Sequence, residues 1–251
     1  MAKINIYPKW FGFIWALWLA LHFLLFFLLA YPLFYFLLSN KKRYPAAHQL
    51  RKAWGNYILF MACIRTKVTY EEPLDKKKTY VYAPNHSSYL DIPSIAVMLP
   101  GYLVYLAKAE LAKVPLFKIF FTTIDIAVDR KSALKAHKAF VEAGERLKEG
   151  ANLIVFPEGT IPADAPRLGK FKDGPFRLAV ENQIELVPVT LPDNWKRMPD
   201  KGGFYVYPGI MRMHVHRPIS VLGLNTEDIP KLKQEVCCII ESKLAEYANH
   251  E

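Results

Sequence analysis

The chain has 251 residues, a length that suits one domain plus an appendage. Its formal net charge of +10 at pH 7 favours anionic partners such as an acidic membrane surface or a phosphorylated substrate. A composition of 52% hydrophobic and 14% aromatic residues argues against a disordered nucleic-acid-binding tail. The sequence also lacks zinc-finger spacing and the signature of an RNA-recognition module, so we expect a membrane-associated protein that does not bind nucleic acid.

The N-terminal part of the chain is strongly apolar. Residues 10–40 contain no Lys, Arg, Asp or Glu, and about 20 apolar residues are enough to cross a bilayer as a helix. We expect Pro32 to kink or end this helix, and Lys41-Lys42-Arg43 to lie at the cytoplasmic headgroups. The run is too long for a cleaved signal peptide, and no Ala-x-Ala site precedes a mature start. These features predict membrane attachment.

The second helical segment, residues 46–64, has a mixed pattern. Polar residues that include His48 and Arg51 come first, and aromatic and aliphatic residues follow. This pattern is typical of a half-immersed interfacial helix, so crossing the membrane and lying in one leaflet both stay open. We assign residues 1–70 to N-terminal membrane-embedded helices and residues 71–251 to a catalytic α/β domain.

Apolar strands and helical patterns alternate in the second part of the chain. We predict strands at 79–83, 102–106, 121–128, 153–156 and 186–191, with helices at 92–99, 131–149 and 176–180. Residues 205–207 and 211–215 flank Pro208-Gly209 and predict a hairpin. A last packing helix follows residue 226. The alternation predicts an α/β fold with a largely parallel sheet and helices on both faces.

The turn after the first of these strands carries a candidate base, His86, five residues before Asp91. Five steps along a continuous helix turn the chain by about 500°, so the two side chains would point apart. A turn followed by a helix start instead lets Asp91 fold back onto the imidazole. A carboxylate on one ring nitrogen fixes the tautomer and stabilises the imidazolium that forms when the other nitrogen takes a proton. Taken alone, a turn histidine and a helix-capping aspartate would explain the same pair.

The string Asn85-His86-Ser87-Ser88-x-x-Asp91 resembles the first motif of the glycerolipid acyltransferases, which make phosphatidic acid from lysophosphatidic acid. Residues 124–130, 156–160 and 186–189 resemble the second, third and fourth blocks of that family, in the same order. Because ligands bind outside the carboxyl ends of strands in open α/β sheets, we expect these turns to converge.

The resemblance implies that His86, oriented by Asp91, takes the proton of a lysophospholipid hydroxyl as that oxygen attacks an acyl thioester. Backbone N–H groups of Glu158-Gly159-Thr160 could receive the oxyanion, and Glu158 could instead organise the turn or bind the acceptor. The expected donor is a thioester of acyl carrier protein or coenzyme A, and no metal or organic cofactor is required. The expected location is the inner (cytoplasmic) membrane, among membrane phospholipids, with the catalytic domain facing the cytoplasm.

An acceptor phosphate requires nearby cations. The candidates by position are Lys108, Arg130 and Lys172, with Arg167 and Lys170 behind them. An ordinary surface charge is the alternative for each. The family's third block usually continues with an Arg that is linked to the acceptor phosphate, and this chain has Ile161 there. Acylation of a non-phosphate lysolipid such as a lyso-ornithine lipid therefore stays open. A non-catalytic membrane lipid-binding protein on the same fold is a second alternative.

Two further groups of residues have the chemistry of metal or redox sites. His214 and His216 lie on one face of a predicted strand and could be two metal ligands, but the sequence indicates no third. We interpret them as hydrogen-bonded sheet histidines and assign no metal site. Reduced thiols in a cytosol-facing protein are expected for Cys63, Cys237 and Cys238.

Overall fold

The fold begins with two helices that precede the sheet. The computed structural model describes residues 7–114, 117–129 and 131–249. Helix α1 spans Lys9–Leu38, a 3-10 turn spans Lys41–Arg43, and helix α2 spans Tyr44–Met61. Pro32 lies inside α1, which continues to Leu38. Of the two effects expected of Pro32, ending the helix is therefore wrong.

Helix α1 contacts the rest of the protein near both of its ends. Close to its start, the carbonyl of Gly12 accepts a hydrogen bond from the backbone N–H of Val206 at 3.0 Å. Close to its end, the ring of Phe34 packs edge-on against Phe120, with the centroids 5.1 Å apart. The opposite side of α1 exposes large apolar side chains, among them Trp10, Phe13, Leu17, Leu21, Leu28, Leu29 and Phe36. Within the described ranges, α1 alone is long and apolar enough to cross a membrane.

Helix α2 is docked onto the sheet through a buried ion pair. Arg51 donates to Asp125 Oδ2 at 2.7 Å and to the carbonyl of Leu103 at 2.7 Å. The side chains of Arg51 and Asp125 are only 10% and 7% exposed. His48 is buried beside Arg51. The expected interfacial pattern is therefore wrong for these two polar residues, because they face the protein interior.

The sheet has seven strands: β1 Ile64–Tyr70, β2 Val81–Pro84, β3 Leu103–Lys108, β4 Ile126–Val128, β5 Asn152–Ile154, β6 Leu186–Thr190 and β7 Gly209–Val215. Their order is β1-β7-β6-β2-β5-β3-β4. Five of the neighbouring pairs are parallel, and β6 with β7 is antiparallel. The largely parallel α/β sheet predicted from the sequence is confirmed.

Helices cover both faces of the sheet: α3 Asp91–Met98, α4 Lys118–Phe121, α5 Ala133–Lys148, α6 Gly174–Asn182, α7 Asn194–Arg197 and α8 Ile229–Asn249. Successive side chains of a strand point to opposite faces. Val81 and Ala83 of β2 accordingly belong to the core under α5, α6 and α8. Tyr82, between them, belongs to a second core under α3.

The predicted hairpin around Pro208-Gly209 is wrong. Residues 205–207 form no strand, because Tyr207 donates its backbone N–H to the carbonyl of Arg197 and Val206 donates to Gly12. Strand β7 begins at Gly209, where it pairs in parallel with Ile64 of β1.

Two other strands differ from the sequence analysis. The strand predicted at 121–128 begins only at Ile126, because the chain first forms α4 and a turn that directs Asp125 inward. Strand β1 is absent from the sequence prediction, which assigns its residues to the N-terminal helices. Its residues beyond Ile64 are mostly exposed at the sheet edge, so they carry no apolar alternation.

Candidate active site

The turn that follows β2 is anchored to the residue that follows β6. Asn85 accepts a hydrogen bond from the backbone N–H of Leu191 at 2.7 Å and donates from Nδ2 to the Leu191 carbonyl at 3.2 Å. Both bonds are buried. The amide side chain of Asn85 therefore replaces a ladder hydrogen bond where the two strands separate, and it fixes the position of the next residue, His86.

His86 and Asp91 are in direct contact. Nδ1 of His86 lies 2.7 Å from Oδ2 of Asp91, which confirms that the aspartate folds back onto the imidazole. The same oxygen accepts the backbone N–H groups of Ser87 at 2.7 Å and Ser88 at 3.0 Å. Asp91 is fully buried at the first residue of α3. Together with Asn194, these three groups hold the carboxylate in a single orientation.

The second oxygen of Asp91 is held by Asn194, which sequence reasoning missed. Asn194 donates from Nδ2 to Asp91 Oδ1 at 2.7 Å and to Ser94 Oγ at 3.1 Å. Asn194 is fully buried and begins the short helix α7. No local motif marks it, because its partner lies 103 residues earlier in the chain.

Glu158 connects two turns of the site through backbone hydrogen bonds. Oε1 accepts the backbone N–H of His86 at 2.8 Å, and Oε2 accepts that of Gly169 at 2.6 Å. The carboxylate is buried, and burial raises its pKa against the opposing effect of these two donors. This geometry matches one of the roles expected for Glu158, which is to organise the turn.

The imidazole of His86 has one constrained nitrogen and one open nitrogen. Its ring stacks on Phe156, with the centroids 4.0 Å apart and the planes inclined by 21°. Its side chain is 15% exposed. With Nδ1 donating to the Asp91 carboxylate, Nε2 carries the lone pair and can accept a proton. Nε2 makes no hydrogen bond with the described parts of the chain.

The turn after β5 is one expected oxyanion site. Gly159 adopts φ +71°, a left-handed conformation that favours glycine, and its backbone N–H donates to the carbonyl of Phe156 at 3.0 Å. That N–H is used to close the turn. Within the described ranges, the backbone N–H groups of Glu158 and Thr160 donate to no other group.

The predicted phosphate cations lie in different parts of the structure. Lys172 is exposed, and its backbone N–H donates to the carbonyl of Pro157 at 2.8 Å, so its loop adjoins the Glu158 turn. Lys108 is exposed at the end of β3 and lies 3.9 Å from Glu110. Arg130 lies outside the described residues. Arg167 and Lys170 are exposed on the loop that leads to Lys172.

A cavity opens beside the His86 turn. It is lined by Ser87, Pro162, Ala163, Ala165, Trp195, Pro199, Asp200 and Lys201. The Ser87 hydroxyl is buried and has no partner in the described parts of the chain. Lys201 supplies the basic group of this lining. Sequence reasoning did not single out Lys201, which is brought to the cavity by the long loop between β6 and β7.

Comparisons with known proteins agree with this geometry. Residues 65–192, just over half of the chain, match the family model described as Acyltransferase. The chain is 29% identical over 188 residues to the 1-acyl-sn-glycerol-3-phosphate acyltransferase BAT2, chloroplastic, of Brassica napus, covering 73% of this chain and 53% of that protein. It is 31% identical over 176 residues to the mouse (Mus musculus) 1-acyl-sn-glycerol-3-phosphate acyltransferase alpha, covering 69% and 61%. The chain thus spans between half and two thirds of the length of these relatives.

A solved structure is similar over nearly the whole chain. It is the crystal structure of the 1-acyl-sn-glycerophosphate (LPA) acyltransferase PlsC from Thermotoga maritima, with a TM-score of 0.74 and 26% sequence identity. The similarity covers 94% of this chain and 97% of that one. Fold, site and sequence lead to the same conclusion, that this chain belongs to the acyltransferase family.

Proposed function

We propose that this protein transfers a fatty acyl chain from an acyl thioester to the free hydroxyl of lysophosphatidic acid, giving phosphatidic acid for phospholipid synthesis. The observation that carries the proposal is the contact between His86 and Asp91, which leaves Nε2 of the imidazole open. The names of the relatives from Brassica napus, mouse and Thermotoga maritima support this reaction.

The proposed step is general-base catalysis by His86. The acceptor hydroxyl gives its proton to Nε2 while its oxygen attacks the thioester carbonyl carbon. The tetrahedral intermediate then expels the thiolate, which takes this proton from the imidazolium, so the products are an ester and a free thiol. Asp91 stabilises the imidazolium between these transfers. General-base help of this kind contributes about a hundred- to ten-thousand-fold.

The turn after β5 is proposed to stabilise the charge that develops on the thioester oxygen. The backbone N–H groups of Glu158 and Thr160 are its donors, and Gly159 permits the backbone to approach the substrate closely. Glu158 holds this turn against the His86 backbone. The proposed reaction requires no metal or organic cofactor, and its donor is a thioester of acyl carrier protein or coenzyme A.

The acceptor phosphate is proposed to bind close to the cavity beside the His86 turn. Lys201 lines that cavity together with Ser87, so a phosphate bound there would place the glycerol hydroxyl near the imidazole. Lys108 and Lys172 are the cations proposed from the sequence, and Arg130 is proposed by its position alone. A cation from the β6–β7 loop would replace the arginine that the family's third block carries where this chain has Ile161.

The N-terminal helices are proposed to lie along one leaflet of the inner membrane, at its cytoplasmic face. Gly12 and Phe34 of α1 both contact the sheet domain, although about 33 Å of helix separates them. A helix that crosses the bilayer has only one end beside a water-exposed domain. The exposed apolar side of α1 would then contact the lipid tails, and membrane phospholipids would surround the substrate's entry.

An acceptor panel tests this function. The purified protein in detergent is incubated with a labelled acyl thioester, of coenzyme A or acyl carrier protein, and with lysophosphatidic acid, glycerol 3-phosphate, lyso-ornithine lipid or water. His86→Ala is the blank. Labelled phosphatidic acid is the expected product. Acylation of lyso-ornithine lipid alone would keep the base mechanism but contradict the proposed acceptor, and turnover of none of them would favour a non-catalytic lipid-binding protein.

A further inference from the structure

Three side chains that could bind a metal ion meet behind the edge of the sheet. Nε2 of His214 lies 3.0 Å from Oε1 of Glu71, and Nδ1 of His216 lies 2.9 Å from the same oxygen. These three atoms all lie within 4.8 Å of one another. We propose that Glu71, His214 and His216 form a Zn²⁺ site.

The fold supplies the third ligand that the sequence did not indicate. His214 and His216 are two residues apart, so they point to one face at the end of β7. Glu71 lies 143 residues before His214. The parallel pairing of β1 with β7 puts Tyr70 opposite Val215, and this register delivers the next residue, Glu71, to the two imidazoles.

Further hydrogen bonds orient two of the three ligands, His216 and Glu71. Nε2 of His216 lies 2.9 Å from Oγ1 of Thr190, so the ring can donate there while Nδ1 binds a metal. The backbone N–H of Arg217 donates to Oε2 of Glu71 at 3.0 Å, which leaves Oε1 for the ion. Partners of this kind, on the far side of each ligand, hold metal-binding imidazoles and carboxylates in place.

The ligands are already held in place for a divalent cation. Oε2 of Glu71 accepts the backbone N–H of Arg217, and Oε1 faces both imidazoles. His214 and His216 are only 6% and 4% exposed, so both rings are already immobilised by packing.

The donor set and spacing favour zinc over magnesium or calcium. Two imidazole nitrogens and one carboxylate suit Zn²⁺, whereas Mg²⁺ and Ca²⁺ prefer oxygen ligands alone. Tetrahedral Zn²⁺ bonds of this kind require ligand atoms about 3.3 Å apart, so the two nitrogen–oxygen separations need to open by only a few tenths of an ångström. The side chain of Glu71 is 32% exposed, which gives water access to a fourth position.

A bound ion would fasten the exposed edge of the sheet. Glu71 follows β1, the two histidines end β7, and Thr190 ends β6, so the site joins three neighbouring strands. Because the ion binds the folded chain, its binding free energy adds to the stability of the fold. The inference does not depend on the proposed acyltransferase reaction, since none of the three ligands takes part in the proton transfer at His86.

The test uses full-length, tag-free protein in detergent, freed of metal with a chelator and kept reduced. ZnCl₂ is added, bound zinc per chain is measured by elemental mass spectrometry after gel filtration, and the midpoint of thermal unfolding is followed. We expect one tightly bound Zn²⁺ per chain and a higher midpoint. With Co²⁺ in place of Zn²⁺, we expect the intense visible absorption of a tetrahedral site. A wild-type protein that binds no zinc would overturn the proposal.

Two site variants and one control complete the test. Glu71→Gln keeps the size of the side chain but removes its charge, and His214→Gln removes a ligand; each should lose the bound ion and the zinc-dependent rise in midpoint. His137→Gln, an exposed histidine of α5, should retain both. If His214→Gln does not fold, Glu71→Gln alone decides. Stoichiometric zinc retained by Glu71→Gln would show that the metal is held elsewhere and would contradict the site.

Discussion

Asn194 donates a hydrogen bond from Nδ2 to Oδ1 of Asp91 at 2.7 Å, while Oδ2 of the same carboxylate contacts Nδ1 of His86 at 2.7 Å. The amide and the imidazole therefore hold opposite oxygens of one buried group. This arrangement holds the carboxylate in one orientation toward the imidazole. Asn194 does not touch the position of the reacting atoms and acts as a positioning residue through Asp91.

Changing Asn194 is expected to alter catalysis more than substrate binding. A lost hydrogen bond to a buried group costs about 1–3 kcal/mol, so Asn194→Ala should lower kcat by roughly tenfold to a hundredfold with little change in KM. Asn194→Asp places a second carboxylate against Asp91, and the two would share a proton at neutral pH. The activity of Asn194→Asp should therefore recover as the pH rises.

The shift of the pH profile separates positioning from a general loss of structure. Asn182→Asp is the matched control, because Asn182 donates to the carbonyl of Leu178 on α6 and has no contact with Asp91. Its pH profile should equal that of the wild type. An Asn194→Asp profile without an alkaline shift would contradict the role assigned to Asn194.

Arg51→Met is expected to destabilise the protein strongly. The change leaves Asp125 buried without its partner, which costs about 3–5 kcal/mol. In Arg51→Met/Asp125→Asn the second change removes the unpaired charge but keeps an oxygen for the backbone N–H of Tyr105, which donates to Asp125 at 3.0 Å. The double variant should be more stable than Arg51→Met in chemical unfolding. A cost below about 1 kcal/mol for Arg51→Met would show that α2 is not docked on the sheet as described.

His48 should make stability depend on pH. Burial, with Arg51 and Lys52 adding to it, lowers the pKa of His48 from 6.5 to about 2. Below pH 6.5 the unfolded chain takes up a proton at this residue while the folded chain does not, so stability falls as the pH falls. The loss from His48 is about 1.4 kcal/mol per pH unit.

Thermal unfolding at pH 7.5, 6.5 and 5.5 measures this effect. His48→Gln should flatten the decline below pH 6.5, although His216, whose pKa is also lowered by burial, contributes part of it in both proteins. The exposed His137 provides the control, since His137→Gln should leave the slope unchanged. A slope that is identical in His48→Gln and the wild type would contradict the burial of His48.

Lys201→Ala is expected to weaken binding of a phosphorylated acceptor. Because Lys201 is exposed, its pair with a phosphate is worth about 1 kcal/mol, which corresponds to a KM roughly fivefold higher for lysophosphatidic acid. The KM for an uncharged lysolipid should not change. Lys108→Ala tests the candidate proposed from the sequence in the same assay. Equal effects of Lys201→Ala on both acceptors would count against a phosphate contact.

The parts of the fold and site that depend on neighbouring residues could be predicted from the sequence. His86 and Asp91 are five residues apart within one turn, so their contact follows from local geometry alone. The largely parallel sheet follows from strands that alternate with helices. Periodicity also located α5 and α8 to within a few residues.

The parts that depend on the order of the strands could not be predicted. Asn194 and Asp91 are 103 residues apart, Arg51 and Asp125 are 74 apart, and each pair meets only because of how the sheet is assembled. Apolar patterns record burial but not which strand lies beside which. The same limit hid the Glu71 ligand and the edge strand β1, whose exposed residues carry no periodic signal.

The central claim is that His86 removes the proton of the acceptor hydroxyl, and the most direct test is the acyl-transfer rate of purified His86→Ala with lysophosphatidic acid. The variant should still fold, because the Glu158 contact uses the backbone N–H of His86 and Asp91 keeps the donors of Ser87, Ser88 and Asn194; its thermal unfolding is measured beside the wild type to check this. We predict a rate about a hundred to ten thousand times lower. A folded His86→Ala protein that kept most of the wild-type rate would contradict the mechanism.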